Sequence, residues 1–192
     1  MKNIILIGDS HIQGLYAAWT EIIRFQECDC EIEFLEYSGI SAYSVDFSNI
    51  TQSQINDKII IMCFGENDIR RRLPKYNNAA EVVASYIQKA KNHFKDNRII
   101  FLQPVPQALD HLTDEFKRKN KEMQGFIPYT LEERMIQQNN FYRALEESGQ
   151  EVITMAECLG VNFTTEKELE DGCHLNRQHA IDVVRYIDKV VD

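Results

Sequence analysis

The chain opens with a short apolar run that ends directly in Gly8-Asp9-Ser10. Residues 4–7 are all Ile or Leu and are stopped by a glycine, which predicts a buried β-strand. An apolar stripe with helical spacing follows at once, formed by Leu15, Trp19, Ile22 and Ile23. Ser10 is therefore expected at the carboxyl end of a strand, where open α/β sheets bind ligands, and it is a candidate nucleophile. Because Asp9 and Ser10 are also good helix N-caps, a purely structural role is the alternative.

Strand-like and helix-like segments alternate along the rest of the chain. The later predicted strands cover 31–37, 58–64, 98–103 and 151–155, and the later predicted helices cover 78–94, 130–148 and a last segment from Asn176. This alternation predicts an α/β fold: one three-layer domain over residues 1–192, with a flavodoxin-like five-stranded parallel sheet in the order 2-1-3-4-5. Segment 107–129 fits no element. We expect it to form a lid or binding insertion, with a short helix near 114–124, or a solvated surface loop.

Charge and cysteine content exclude several classes of protein. The formal net charge of −9 argues against a general nucleic-acid binder, because neutralising phosphates requires clustered Lys and Arg. No apolar run reaches membrane-spanning length, and the first is too short for a signal peptide, so no membrane partner is expected. Cys28 and Cys30 are too close to pair easily, and Cys63 is expected to be a buried thiol. We therefore expect reduced thiols in a cytoplasmic protein and no zinc site.

Four short polar motifs follow predicted strands and are expected at one edge of the sheet. They are Gly8-Asp9-Ser10, Ser38-Gly39, Gly65-Glu66-Asn67-Asp68 and Asp171-Gly172-Cys173-His174. Together they supply the groups that acyl transfer needs. Ser10 is the candidate nucleophile, His174 is the candidate general base, and Asp171 is placed to orient the imidazole.

The negative charge that develops on the substrate oxygen needs donors already in position. The candidates for this oxyanion hole are the backbone N–H groups of Ser10 and Gly39 and the side-chain amide of Asn67. Glycine allows the backbone to approach closely, and Asn67 is a donor without charge. Asp68 is expected to hold its own loop rather than to take part in the chemistry.

The four motifs resemble, in order, the four conserved blocks of the SGNH (GDSL-type) hydrolase superfamily, and the resemblance spans residues 4–176. It implies a flavodoxin-like fold and an esterase or lipase activity that needs no metal or organic cofactor. His11 stands where many members carry Leu, and it could line the pocket or simply begin the helix. The run Arg70-Arg71-Arg72 could recognise an anionic group such as a sugar acid or a phosphate, or form a solvated helix face. His11 and Arg70 are thus candidate substrate-binding residues.

The sequence therefore predicts a serine esterase that removes a short acyl group, first of all acetyl, from a carbohydrate or a small metabolite. An acyltransferase to a sugar hydroxyl would use the same acyl-enzyme and stays open. A binding module that has lost catalysis is the alternative of a different class. A nucleotide- or flavin-binding protein is disfavoured, because no dinucleotide-type glycine-rich loop follows the first strand.

Overall fold

The computed structural model describes residues 2–25, 30–105, 129–160 and 174–191 of the chain. Its centre is a parallel five-stranded sheet with the strand order β2-β1-β3-β4-β5. The strands are β1 Lys2–Gly8, β2 Cys30–Glu36, β3 Ile59–Cys63, β4 Ile99–Leu102 and β5 Glu151–Ile153. The predicted order and the predicted α/β class are both confirmed.

Helices cover both faces of the sheet. They are α1 Ile12–Arg24, α2 Gln52–Ile55, α3 Leu73–Tyr76, α4 Ala79–His93, α5 Leu131–Glu146, α6 Met155–Leu159 and α7 Arg177–Val190. A π-helical turn, Asp68–Arg72, leads directly into α3. None of the helices within the described residues combines the length and the apolar character needed to cross a membrane.

The first strand divides the core into two layers. Ile4 and Leu6 face the layer that contains α1 and α7, whereas Ile5 and Ile7 face the layer that contains α4 and α5. All four side chains are at most 1% exposed. Because successive strand residues point to opposite faces, a strand covered on both sides reads as an unbroken apolar run. Each such side chain contributes roughly 1.5–3 kcal/mol through burial.

Capping interactions set several helix boundaries. Thr130 and Glu133 form the predicted reciprocal box at the start of α5, with Glu133 N–H donating to Thr130 Oγ1 over 3.2 Å. A second box formed by Thr154 and Glu157 begins α6 and ends β5 at Ile153, two residues before the predicted end. The predicted insertion at 107–129, with its short helix, lies outside the described residues except for Tyr129.

Candidate active site

The first polar motif lies on the turn from β1 into α1. A Cβ on Gly8 would be 2.6 Å from the backbone oxygen of Cys63 on β3 and 2.5 Å from Cγ2 of Ile12, so a larger residue would force the strand and helix apart. Gln13 N–H donates to Ser10 O over 3.2 Å, as the first turn of α1 begins. The half-buried Ser10 is therefore held at the carboxyl end of a central strand.

His174, the last residue of the fourth motif, lies beside the same turn. Asn176 caps α7, accepting a hydrogen bond from His179 N–H at 2.9 Å, and so fixes where the chain enters that helix. His174 Nε2 lies 3.5 Å from Ser10 Oγ, although the two residues are 164 positions apart. This separation is at the outer limit of a hydrogen bond, and such contacts commonly tighten once substrate is bound.

Asp171, the predicted partner of the histidine, lies outside the described residues. Its role in orienting His174 stays a prediction, and so does the assignment of Ser10, His174 and Asp171 as a catalytic triad.

Two of the predicted oxyanion donors lie on segments that are hydrogen-bonded to each other. Gly39 has a φ of +73° in the turn after β2, a conformation that glycine adopts without strain. The side-chain nitrogen of Asn67 donates to Ile40 O over 3.2 Å and so ties this turn to the one after β3. An amide nitrogen carries two hydrogens, so one N–H of Asn67 remains for a ligand. The oxyanion role of Ser10, Gly39 and Asn67 stays a prediction.

Asp68 strengthens the same connection. Its buried carboxylate accepts the backbone N–H groups of Ala42, at 2.6 Å, and Tyr43, at 3.3 Å. These bonds hold the turn after β2, so Asp68 fixes a neighbouring segment, whereas its predicted role is to hold its own loop. Burial raises the pKa of Asp68 to about 6, and the hydrogen bonds from Ala42 and Tyr43 partly oppose this rise.

A buried carboxylate–imidazole pair adjoins Ser10. Asp9 Oδ1 lies 2.7 Å from His11 Nδ1 and also accepts the backbone N–H of His11 at 3.1 Å. The two residues are 1% and 6% exposed, and the His11 ring packs against the His174 ring with centroids 4.6 Å apart. His11 is also the N-cap of α1, as expected if it begins the helix, and its role in lining a substrate pocket stays a prediction. We did not predict the pairing with Asp9, which the Asp-x-His spacing on this turn could have suggested.

Glu66 and Arg70 complete the buried polar group. The Arg70 guanidinium donates to Asn67 Oδ1 over 2.9 Å and lies 3.3 Å from Glu66 Oε2, with only 6% of Arg70 exposed. Arg70 thus positions the side chain of Asn67. Its predicted role in binding substrate stays a prediction.

Asp9, His11 and Glu66 could in principle hold a metal ion, because one ligand atom from each lies within 4.8 Å of the others. The two carboxylates, however, already face the Arg70 guanidinium and the His11 imidazole. An added divalent cation would have to compete with a fixed guanidinium 3.3 Å from one of its ligands. We therefore interpret the cluster as a network of ion pairs and hydrogen bonds within the protein.

Cys63 lies at the base of this site. It is 2% exposed, which confirms the predicted buried thiol. Burial raises the pKa of Cys63 well above its ordinary value, so the thiol stays protonated and is a poor nucleophile. Among the described residues of the site, Ser10 is thus the better candidate for covalent chemistry.

The sequence matches no family model and no curated protein. Its fold, in contrast, closely matches solved structures over nearly their whole length. A carbohydrate acetylesterase from Sinorhizobium meliloti superimposes with a TM-score of 0.63 at 13% identity, covering 100% of this chain and 98% of its own. The aryl esterase of M. smegmatis superimposes with a TM-score of 0.67 at 13% identity and the same coverage of both chains.

A member of the lipolytic G-D-S-L family from Veillonella parvula gives a TM-score of 0.62 at 15% identity, covering 99% of this chain and 98% of its own. At such low identities these likenesses establish the fold. The architecture predicted from the four motifs is therefore confirmed as the one shared by these proteins.

Proposed function

We propose that this chain, which has the fold of the SGNH (GDSL-type) hydrolases, is a serine esterase. Its substrate is a short-chain acyl ester, first of all an acetyl ester, of a carbohydrate or a small metabolite. The observation that carries the proposal is the 3.5 Å approach of Ser10 Oγ to His174 Nε2 across 164 residues of sequence. A serine hydroxyl becomes a useful nucleophile only when a base can accept its proton, and this contact supplies the base.

In the proposed reaction, Ser10 Oγ attacks the ester carbonyl carbon while His174 Nε2 takes the hydroxyl proton. The backbone N–H groups of Ser10 and Gly39 and the amide of Asn67 stabilise the oxyanion that forms. His174 then gives its proton to the departing alcohol oxygen as the bond to that oxygen breaks, which leaves an acyl-enzyme. Asp171 orients His174 and stabilises its charged form.

Water completes the cycle. His174 takes a proton from the water that attacks the acyl carbon, and returns it to Ser10 Oγ as the carboxylic acid leaves. An acetyl group is favoured because a carbohydrate acetylesterase is among the structures that share this fold over their whole length.

The test is hydrolysis of p-nitrophenyl acetate by the Ser10→Ala protein, with Ser85→Ala as the matched control on the exposed face of α4. We expect Ser10→Ala to lose at least about 10³-fold in kcat, since the nucleophile is removed, and Ser85→Ala to lose none. A fluorophosphonate probe should add to Ser10 in the native protein, as read by intact mass. Unchanged turnover in a folded Ser10→Ala protein would refute the mechanism.

A further inference from the structure

The guanidinium of Arg72, at the end of the turn that follows Asn67, lies over the rings of two exposed tyrosines. The guanidinium carbon of Arg72 lies 3.4 Å from the ring centroid of Tyr43 and 4.9 Å from that of Tyr76. Tyr43 is 47% exposed and Tyr76 is 53% exposed. Lys75 Nζ lies 4.9 Å from the Tyr76 centroid, and Lys89 Nζ lies 5.9 Å from the Tyr43 centroid. We call these five residues the cation–tyrosine patch.

The described part of the chain gives these cations only longer-range partners, since the Asp68 carboxylate acts electrostatically on Arg72 and the Asp46 carboxylate on Lys89. No carboxylate there lies within ion-pair distance of Arg72, Lys75 or Lys89, although the whole protein carries a net charge of −9. Arg72 Nε is buried without a hydrogen-bond partner among these residues. Because acidic groups are in excess in the protein as a whole, three neighbouring cations without ion pairs in the described structure need an explanation.

Because Nε of Arg72 is buried, a ligand would have to bind the guanidinium through its terminal Nη groups. Cation–π contact occupies the flat faces of the guanidinium, whereas hydrogen bonds to a carboxylate use its N–H edge. The rings fix the plane of the group, so a carboxylate could bind in the bidentate arrangement with little further ordering. Exposed ring surface on Tyr43 and Tyr76 also suits a sugar, because the C–H bonds on a sugar face pack on the negative face of an aromatic ring.

The patch is built on the two segments that form the candidate oxyanion hole. Tyr43 lies on the turn that begins with Gly39, and its backbone N–H donates to Asp68. Arg72 ends the π-helical turn that follows Asn67, five residues later in the chain. The patch is therefore connected through its backbone to two of the candidate oxyanion donors.

We propose that the cation–tyrosine patch is a binding subsite for a carboxylate-bearing saccharide. Arg72 binds the carboxylate through its N–H edge, Lys75 and Lys89 add charge, and the tyrosine rings contact the sugar. That this saccharide is the enzyme's substrate rests on the proposed function, whereas the ligand preference of the patch does not.

The probes are a β-1,4-linked glucuronate tetramer and cellotetraose, which differ only in having carboxylates or hydroxymethyl groups at C6. Neither carries an acyl ester, so binding is measured without turnover, by isothermal titration calorimetry on the full chain. The test variant is Arg72→Gln with Lys75→Gln and Lys89→Gln. The matched control is Arg24→Gln with Lys91→Gln and Lys95→Gln, which changes the net charge equally at exposed positions outside the patch.

The native protein should bind the glucuronate tetramer at least about tenfold more tightly than cellotetraose, and the patch variant should lose this preference. The control variant should keep it, and added salt should weaken only the binding of the acidic probe. Equal binding of the two probes by the native protein, or an equal loss in the control variant, would overturn the proposal.

Hydrolysis of p-nitrophenyl acetate is measured on the native protein and on the control variant, and the control variant should keep it. If the native protein did not hydrolyse p-nitrophenyl acetate, the proposed esterase activity would be refuted. A preference for the glucuronate probe would still support the subsite. The failures of the two proposals are thus distinguishable.

Discussion

The imidazole rings of His11 and His174 pack together with their centroids 4.6 Å apart, and Asp9 holds His11 from the far side through a 2.7 Å contact to Nδ1. The candidate base therefore rests on a second imidazole that has its own buried carboxylate. A misplacement of a reacting group by about 1 Å can cost a hundredfold in rate, so a neighbour that fixes the His174 ring affects catalysis without touching substrate.

Removing the charge of Asp9 tests this arrangement. Asp9→Asn keeps the shape of the side chain, but the charge-assisted bond to His11 becomes a neutral one, which is about half as strong. We expect kcat for p-nitrophenyl acetate to fall about tenfold with KM unchanged, because the ring of His174 is held less firmly. Asp46→Asn, at an exposed carboxylate that accepts two hydrogen bonds from Ser48, should leave both constants unchanged. An effect confined to KM would argue against a positioning role.

Asn67→Ala removes one proposed oxyanion donor and the bond that ties the two turns together. We expect a loss of about 10²–10³ in kcat, the usual cost of removing such a donor. Steady-state kinetics measure it, with circular dichroism to check the fold. Asn92→Ala, at an exposed amide on α4, is the control and should change kcat by less than about twofold. A fall in thermal stability with kcat intact would mean that Asn67 acts only through its hydrogen bonds to Ile40 and Arg70.

The raised pKa of Asp68 predicts how the unfolding free energy of the protein depends on pH. Its pKa is raised to about 6 in the folded chain by burial, above the ordinary value of 3.8, so the folded state binds this proton more tightly than the unfolded state does. The stabilisation is present at acidic pH and is lost as pH rises from 3.8 through about 6, by at most about 3 kcal/mol. As pH rises over this window, the native protein should therefore lose unfolding free energy relative to D68N. Urea unfolding at a series of pH values measures it.

Asp46 is the control for this pH effect, because its pKa is shifted in the opposite direction. Hydrogen bonds from the backbone and side chain of Ser48 lower the pKa of Asp46. Asp46 therefore contributes stability above its ordinary pKa of 3.8, and this contribution is lost as pH falls through the folded value. Between pH 3.8 and about 6, the difference in unfolding free energy between the native protein and D46N should stay constant, whereas the difference for D68N should change. A flat D68N difference would contradict the raised pKa of Asp68.

Local sequence signals predicted most of the fold because each depends on residues close together in the chain. The unbroken apolar run at 4–7 indicates a strand covered on both faces, and the Thr130–Glu133 spacing indicates a helix start. The Thr154–Glu157 box carries the same signal, and it explains why β5 ends at Ile153 although the predicted strand runs to Met155.

The candidate site was predictable in its residues and not in their partners. Ser10 and His174 carry their chemistry in their side-chain type, and the strand order brings their segments to one edge of the sheet. Arg70, in contrast, reads as an exposed or substrate-binding charge. It is buried where Asn67 accepts a hydrogen bond from its guanidinium and Glu66 forms an ion pair with it, and that depends on how the turn after β3 folds. Whether a charged side chain is buried depends on its neighbours in the folded structure, and the spacing of residues in the sequence does not reveal these.

Gly65 gives a sharp test of how the turn after β3 is packed. Its φ is +128°, and an added Cβ would lie 2.5 Å from Cζ of the buried Phe141 on α5. Gly65→Ala should therefore cost about 3 kcal/mol of unfolding free energy, from backbone strain together with the clash. Gly149→Ala is the matched control, because its φ is +71° but nothing lies within 4 Å of the added Cβ. That variant should lose only about 1 kcal/mol.

Two further variants separate the clash from the strain. Phe141→Leu combined with Gly65→Ala should recover part of the loss, because a smaller side chain vacates the space that the new methyl needs. Gly14→Ala, in α1 with nothing within 4 Å, should stabilise the protein by about 0.5–1 kcal/mol, because alanine has the higher helix propensity. Chemical denaturation of the five proteins measures all of these differences. If Gly65→Ala costs no more than Gly149→Ala, then the ring of Phe141 does not press on the turn that carries Asn67, and that contact is not what holds the candidate site in shape.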